Sequence, residues 1–389
     1  MLDKKISSAI LIDSILICLL SLTYAGISSG IFFGIRIVDI LIVLGLVHKS
    51  RTKIGLPTWI LIGLWLGSIA ISSLVGVVDG TLYLVSDLRY FIVFGLGVLL
   101  AITLAKNRGL NVLYIYYALI FGTLFLYYII PYISFIRFYY IPESFQSDEH
   151  INTVFGPTTV LINYLFIYLV FQNRNRSFFF YLTYLVAALL IFNLRISRLD
   201  LVIMLLLFTW SIGYRLIYSI KLTYLLVLAA AFVVGIVYVL QTDNQRIKGI
   251  IKPKEDTSFN YRVLSNNDFL EKYKREPAIN KAFGLGMGST FIFHYNEYLG
   301  RRRLNIIDNT PLTILMKSGY VGLIVYVLIV LYPMVYLNWH QRLLLLFPIV
   351  FSMFLFNHAL YNVLYIFGLY FVAFRIKANK IQRPVLLNS

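Results

Sequence analysis

The 389 residues are 60% hydrophobic and only 13% charged, and the mean hydropathy is +0.81. Soluble domains run at roughly 45–50% apolar and about 25% charged, so a soluble globular enzyme, a disordered chain and a fibrous protein are excluded and a polytopic membrane protein remains. The 34 Lys and Arg against 17 Asp and Glu give a net +17, which would suit nucleic acid, anionic lipid or an anionic substrate; where the charges sit decides between them.

In chain order, the apolar stretches cut at charges and turn residues predict helices over about 6–25, 31–47, 57–78, 84–105, 110–132, 153–172, 178–194, 199–214, 222–240, 311–336, 342–357 and 359–375. Each approaches the roughly 20 residues that cross a bilayer core. The last two are short, so eleven or twelve spans fit. The expected fold is all-α: a polytopic integral membrane protein of about 12 (11–12) transmembrane helices with one large outward loop containing short helices. Residues 1–240 carry nine spans, 241–310 form the loop, and 311–389 carry three more spans and a tail. The first segment has no small-x-small cleavage site and is expected to be retained. The single cysteine, Cys18, excludes an intrachain disulfide framework and a Cys-based metal site.

Basic residues fix the expected orientation. With the N-terminus in the cytoplasm, every inside connection holds at least one Lys or Arg: Lys4 and Lys5; Lys49, Arg51 and Lys53; Lys106 and Arg108; Arg174 and Arg176; Arg215 and Lys221; Arg342; and Arg375, Lys377, Lys380 and Arg383. The acids on that side are Asp3 and Asp13. Much of the positive charge is therefore a topology signal, and nucleic acid is not needed to account for it. The outward basic residues are Arg36, Arg89, Arg137, Arg195, Arg198, Lys317 and a group in the long loop, where acids largely balance them.

Three outward groups suit chemistry. Arg195 and Arg198 lie in the short turn NLRISRLD, while Arg36 and Arg89 lie just inside spans, near Asp39 and Asp87. Charges at membrane depth are costly, and guanidinium forks bind phosphate bidentately without deprotonating. A packing ion pair between Arg36 and Asp39 is the competing structural reading. The second group, in the loop, reads YRVLSNNDFLEKYKREPAINKAFGLGMG. It offers Arg262, an amphipathic stretch through Val263, Leu264, Phe269, Leu270 and Tyr273, and glycines at 284, 286 and 288 that permit tight turns and close ligand approach. Arg301, Arg302 and Arg303 follow as either an anion contact or a headgroup-touching patch. In the third, Asp308 and Asn309 stand before the span that opens at Pro311. They serve either as a helix cap or as a carboxylate able to take a proton from a sugar hydroxyl. His150 and His294 read as surface residues.

The layout resembles the O-antigen ligase/polymerase superfamily, and most closely the Wzy-type O-antigen polymerases. Carrying the resemblance are the many spans with one large outward loop before the last few, the basic ISRLDL turn, the arginine–amphipathic stretch–GLGMG order, and Asp308-Asn309-x-x-Leu312 followed by Gly319 and Gly322. The family's ligases typically have His where this chain has Asp308, which favours a polymerase over a ligase. The resemblance implies a glycosyltransferase of the bacterial inner membrane with a periplasmic active site and both termini cytoplasmic, working on undecaprenyl-diphosphate-linked oligosaccharide repeat units, with no cofactor and no metal. Arg195, Arg198 and Arg262 would bind the diphosphate and Asp308 would handle the acceptor hydroxyl. Arg36, Arg89, Asn309, Arg301, Arg302, Arg303, Gly286 and Gly288 would contact substrate. Membrane lipids are expected partners, a chain-length regulator is an open one, and nucleic acid is not. A ligase to lipid A core and a flippase for the same lipid-linked unit are the alternatives.

Overall fold

The computed structural model describes residues 8–24, 30–32, 35–78, 83–129, 156–172, 178–193, 198–218, 257–294, 301–304, 307, 309–355, 360 and 362–380. The expected span at 222–240 lies outside these residues, as does the loop 133–152. The described chain is helical. Its helices are α1 Ser8–Tyr24, α2 Ile37–His48, α3 Leu56–Val78, α4 Leu84–Ala105, α5 Val112–Ile129, α6 Gly156–Gln172, α7 Phe178–Asn193 and α8 Arg198–Tyr218, then α9 Thr257–Arg275, α10 Ala278–Phe283, α11 Thr310–Leu331, α12 Trp339–Leu355 and α13 Val363–Lys380.

Among the described residues, three helices are long and apolar enough to cross a membrane: Leu56–Gly76, Leu84–Ala105 and Thr310–Tyr336. Six shorter apolar helices accompany them. The 23 residues of α3 measure about 35 Å at 1.5 Å per residue, enough for a bilayer core. Its large exposed hydrophobic side chains are Leu56, Trp59, Ile60, Leu64, Leu66, Ile71 and Leu74, an apolar stripe along the whole helix. Water would penalise such a face and lipid would not; the helices are those of a membrane-embedded chain.

Two short antiparallel ribbons depart from the purely helical expectation. β1 Gly30–Phe32 pairs with β2 Ile35–Arg36, and β3 Phe291–His294 pairs with β4 Arg301–Leu304. The first replaces the opening turns expected of the second span, so α2 is only 12 residues long. The segment GIFFGIR is as apolar as a helix, but its two glycines weaken helix and favour a tight hairpin.

The core forms where α4 packs against α13 and α3. Gly97 of α4 lets the helices close: a Cβ there would sit 2.2 Å from Val363 Cγ2, the small-residue contact common between membrane helices. Trp65 of α3 is fully buried, stacks on Phe91 at 5.2 Å, and donates its indole N–H to the Phe91 carbonyl at 2.8 Å. That bond satisfies the one polar atom of a large apolar side chain.

The helix expected over 311–336 is broken at Gly319, whose φ of 62° and ψ of −163° are not helical. Residues 310–318 form a separate opening segment, and the rest continues into a 3-10 turn, Tyr332–Tyr336. The break frees carbonyls of the preceding turn, and the Leu285 amide donates to one of them, Met316 O, at 2.7 Å. The loop segment thus completes a hydrogen-bond ladder that the helix leaves open.

Candidate functional site

One end of the bundle, where α2, α4 and α11 begin and α3 finishes, gathers the charged groups. Asp39 sits at the third position of α2, and its Oδ2 accepts the Arg36 amide at 2.8 Å, capping the helix start. The same carboxylate takes a fork from α4: Arg89 Nε donates to Oδ2 at 2.5 Å and Nη2 donates to Oδ1 at 3.1 Å. Arg36 turns to another group, donating from Nη2 to the Tyr90 hydroxyl at 3.0 Å. Both guanidiniums lie on the Tyr90 ring, with Cζ 4.8 Å from its centroid for Arg89 and 5.6 Å for Arg36, within cation–π range. The ion pair expected between Arg36 and Asp39 is therefore made by Arg89. Among the described residues no carboxylate pairs with the half-buried Arg36 guanidinium, so those residues set two guanidiniums against one carboxylate.

A second ion pair lies deeper. Lys317 Nζ stands 2.6 Å from Asp87 Oδ2, and both side chains are essentially inaccessible to solvent. Lys317 also donates to the Ser289 carbonyl at 2.6 Å, and the Gly288 amide donates to Asp87 at 2.7 Å. Asp87 thus ties α4, α11 and the long loop together. The GLGMG segment lies flat on the backbone of α3: Met287 N donates to Ser72 O at 3.0 Å, and Ser72 Oγ donates to Phe283 O at 3.2 Å. Gly286, at φ +97°, has no room for a side chain because a Cβ would meet Gly76 N at 2.5 Å. The close approach that these glycines permit is made here with the protein's own backbone.

The loop carries a small core of its own. Phe269 and Tyr273 of α9, Phe291 of β3, Ile307, and Leu312, Leu315 and Met316 of α11 bury one another. Of the expected amphipathic set only Phe269 and Tyr273 turn inward, whereas Val263, Leu264 and Leu270 are exposed. The Tyr273 hydroxyl donates to Lys281 O at 2.8 Å, and burial pushes the phenol well above its ordinary range, so it stays a donor. Arg262 is half-buried on α9.

Asn309 is buried and caps α11, its Oδ1 accepting from Leu312 N at 3.0 Å. Removing that cap in Asn309→Ala should cost about 1 kcal/mol, read as a lower unfolding midpoint of the purified protein, while Asn309→Ser should stay close to wild type. Ile307, on the other side of Asp308, is held by a two-way contact with the Thr313 hydroxyl at 3.1 and 2.9 Å. Asp308 itself and Arg195 lie outside the described residues. Arg198 is the first residue of α8, and Arg301, Arg302 and Arg303 pair in β4 with His294, Phe293 and Ile292.

The structure therefore brings Arg36, Arg89, Gly286, Gly288 and Asn309 to one end of the bundle and docks the helix of Arg262 there. Sequence reasoning missed Tyr90, the α3 seat at Ser72 and Gly76, and above all Lys317 as the partner of Asp87. A lysine inside the apolar run ILMKSGYVG was the available signal. No family model, no curated protein and no solved structure matches this chain.

Proposed function

We propose that the chain is an integral glycosyltransferase of the bacterial inner membrane that polymerises lipid-linked repeat units. The growing glycan leaves undecaprenyl diphosphate and joins the terminal sugar of a new lipid-linked unit at the periplasmic face. In this reading the charged end of the bundle faces the periplasm, the chain spans the bilayer eleven or twelve times, and both termini are cytoplasmic. The observation that carries it is the Arg36–Tyr90–Arg89–Asp39 cluster: among the described residues it sets two guanidiniums against one carboxylate at the end of membrane helices, a basic patch where a diphosphate headgroup would arrive. Arg262, with Arg195 and Arg198, supplies the further positive charge that stabilises a departing diphosphate. Asp308, beside the buried Asn309 cap, orients or deprotonates the acceptor hydroxyl.

The deciding experiment is elongation of a purified lipid-linked repeat unit by this protein alone. Arg36→Ala should lower the rate by on the order of tenfold to a hundredfold, as for loss of one charge-assisted contact to a developing anion. Arg36→Lys should recover part of it, because the charge returns without the fork. Absence of elongation by the wild type, or an Arg36→Ala variant as fast as wild type, sinks the proposal. In cells, loss of a polymerase leaves single repeat units on lipid A core, whereas loss of a ligase leaves bare core.

Orientation has a separate test. In a Cys18→Ser background, a cysteine at the exposed Ile279 of α10 should react with an impermeant maleimide from the periplasmic side. One at the exposed Arg108 should react from the cytoplasmic side. The reverse pattern would invert the topology and remove the outward site.

A further inference from the structure

The opposite end of the bundle, where α4 and α13 finish and α5 begins, holds a cleft of about 430 Å³ that the glycan chemistry does not use. Its wall includes Arg108, Asn111, Tyr168, Gln172, Arg375 and Asn379, and no carboxylate lines it among the described residues. Arg375 is 4% exposed. Its Nη1 reaches the carbonyls of Ala105 (3.3 Å) and Asn107, and its Nη2 those of Arg108 (2.9 Å) and Leu110 (3.0 Å). The remaining guanidinium hydrogen, on Nε, is buried and has no acceptor among the described residues. A buried charged donor left unpaired is costly.

The surroundings compound the deficit of negative charge. The α5 N-terminus lies at the cleft through Asn111, Val112 and Leu113; Asn111 Oδ1 accepts the Leu113 and Tyr114 amides at 3.2 and 3.4 Å, and the positive end of this 18-residue helix faces the cleft. Arg108 is exposed at the rim, and Asn379 donates to the Tyr168 hydroxyl at 2.9 Å across the cleft wall. Lys106, two residues before Arg108, is held below the usual ammonium range by partial burial and by Lys377 nearby. The one buried acid described at this end, Asp13, is taken up by Lys49 at 2.6 Å, with His48 and Asn107 also on it.

From this we infer that the cleft binds a phosphate group, supplied by an anionic lipid headgroup or by a soluble phosphate. Arg108 makes the charge-assisted contact, the buried Arg375 and the N-terminal end of α5 add positive potential behind it, and the Asn379 carboxamide completes the cradle. The cleft lies at the other end of the molecule from the Arg36–Arg89 cluster, so phosphate binding there is independent of glycan elongation.

The test uses delipidated full-length protein, titrated with phosphatidylglycerol, with phosphatidylcholine and with inorganic phosphate, following the unfolding midpoint and the lipids retained in native mass spectrometry. Wild type should gain stability with phosphatidylglycerol and not with phosphatidylcholine. Arg108→Gln, a change at an exposed side chain, should weaken the apparent affinity by about tenfold, and Asn379→Ala should weaken it less. A response to phosphatidylglycerol alone assigns a lipid headgroup, and a response to inorganic phosphate as well assigns a soluble ligand; both uphold a phosphate site. If both anions leave wild type unchanged, or if both variants titrate like wild type, the site does not exist.

Discussion

Asp87→Ala should destabilise the protein by about 3–5 kcal/mol, the range for breaking a buried ion pair from one side. The cost arises from what stays behind. Lys317 would lose its counter-charge in a place with no solvent access, and the Gly288 amide would lose its acceptor. Lys317→Ala should cost a similar amount by removing the ion-pair partner of Asp87. The double variant Asp87→Leu/Lys317→Met should recover most of the loss, since apolar groups of similar volume often replace a buried pair without penalty. Thermal or denaturant unfolding of wild type, Asp87→Leu, Lys317→Met and the double variant closes a double-mutant cycle. If the single effects simply add, the two residues do not act as a unit. Amide exchange at Gly288 should also rise in Asp87→Ala, because the loop is anchored there, and unchanged exchange would show that the loop holds on without the pair.

Why is that pair invisible in the sequence when most of the helices are not? A span announces itself locally, as about 20 apolar residues, and so α3 and α4 fall within a residue of their expected limits. The partner of a buried charge is a matter of tertiary placement. Arg89 stands two residues from Asp87, but residues two apart do not share a helix face. Asp87 turns to Lys317, in another helix, and Arg89 reaches Asp39 on a third. The same logic explains Arg36. As the residue before α2 it offers its backbone amide to Asp39, which leaves the carboxylate's outer lone pairs for Arg89. The break at Gly319 is hidden because Lys317, Ser318 and Gly319 interrupt the apolar run only briefly, and membrane helices tolerate such residues without breaking. The loop glycines are legible as points of close approach, but not for what approaches them, because a Gly-x-Gly-x-Gly run looks the same whether a ligand or another backbone lies against it.

That last distinction yields the second large effect, in Gly286→Ala and Gly76→Ala. At Gly286 the added Cβ would lie 2.5 Å from Gly76 N and 2.7 Å from Gly76 Cα, at a φ of +97° that L side chains rarely adopt. At Gly76 it would lie 2.1 Å from Met287 O. All of these neighbours are backbone atoms, so no rotamer change relieves the contact. Overpacking together with backbone strain should cost about 2–5 kcal/mol for Gly286→Ala, and overpacking alone about 1–3 kcal/mol for Gly76→Ala. Gly63, on the same helix as Gly76, has nothing within 4 Å of where a Cβ would stand. Gly63→Ala should therefore be neutral or stabilising by up to about 1 kcal/mol through helix propensity. The three variants separate a seat for the loop from a general intolerance of α3 to substitution. In Gly286→Ala and Gly76→Ala, protease should also cut 257–290 faster than in wild type, because the segment has lost its bed on α3. If elongation depends on Arg262 and Asp308 being held at the membrane surface, it should fall in the same two variants and persist in Gly63→Ala. Equal stability and equal cleavage across all three would mean that the loop does not rest on Gly76, and the glycines would again be free for a ligand.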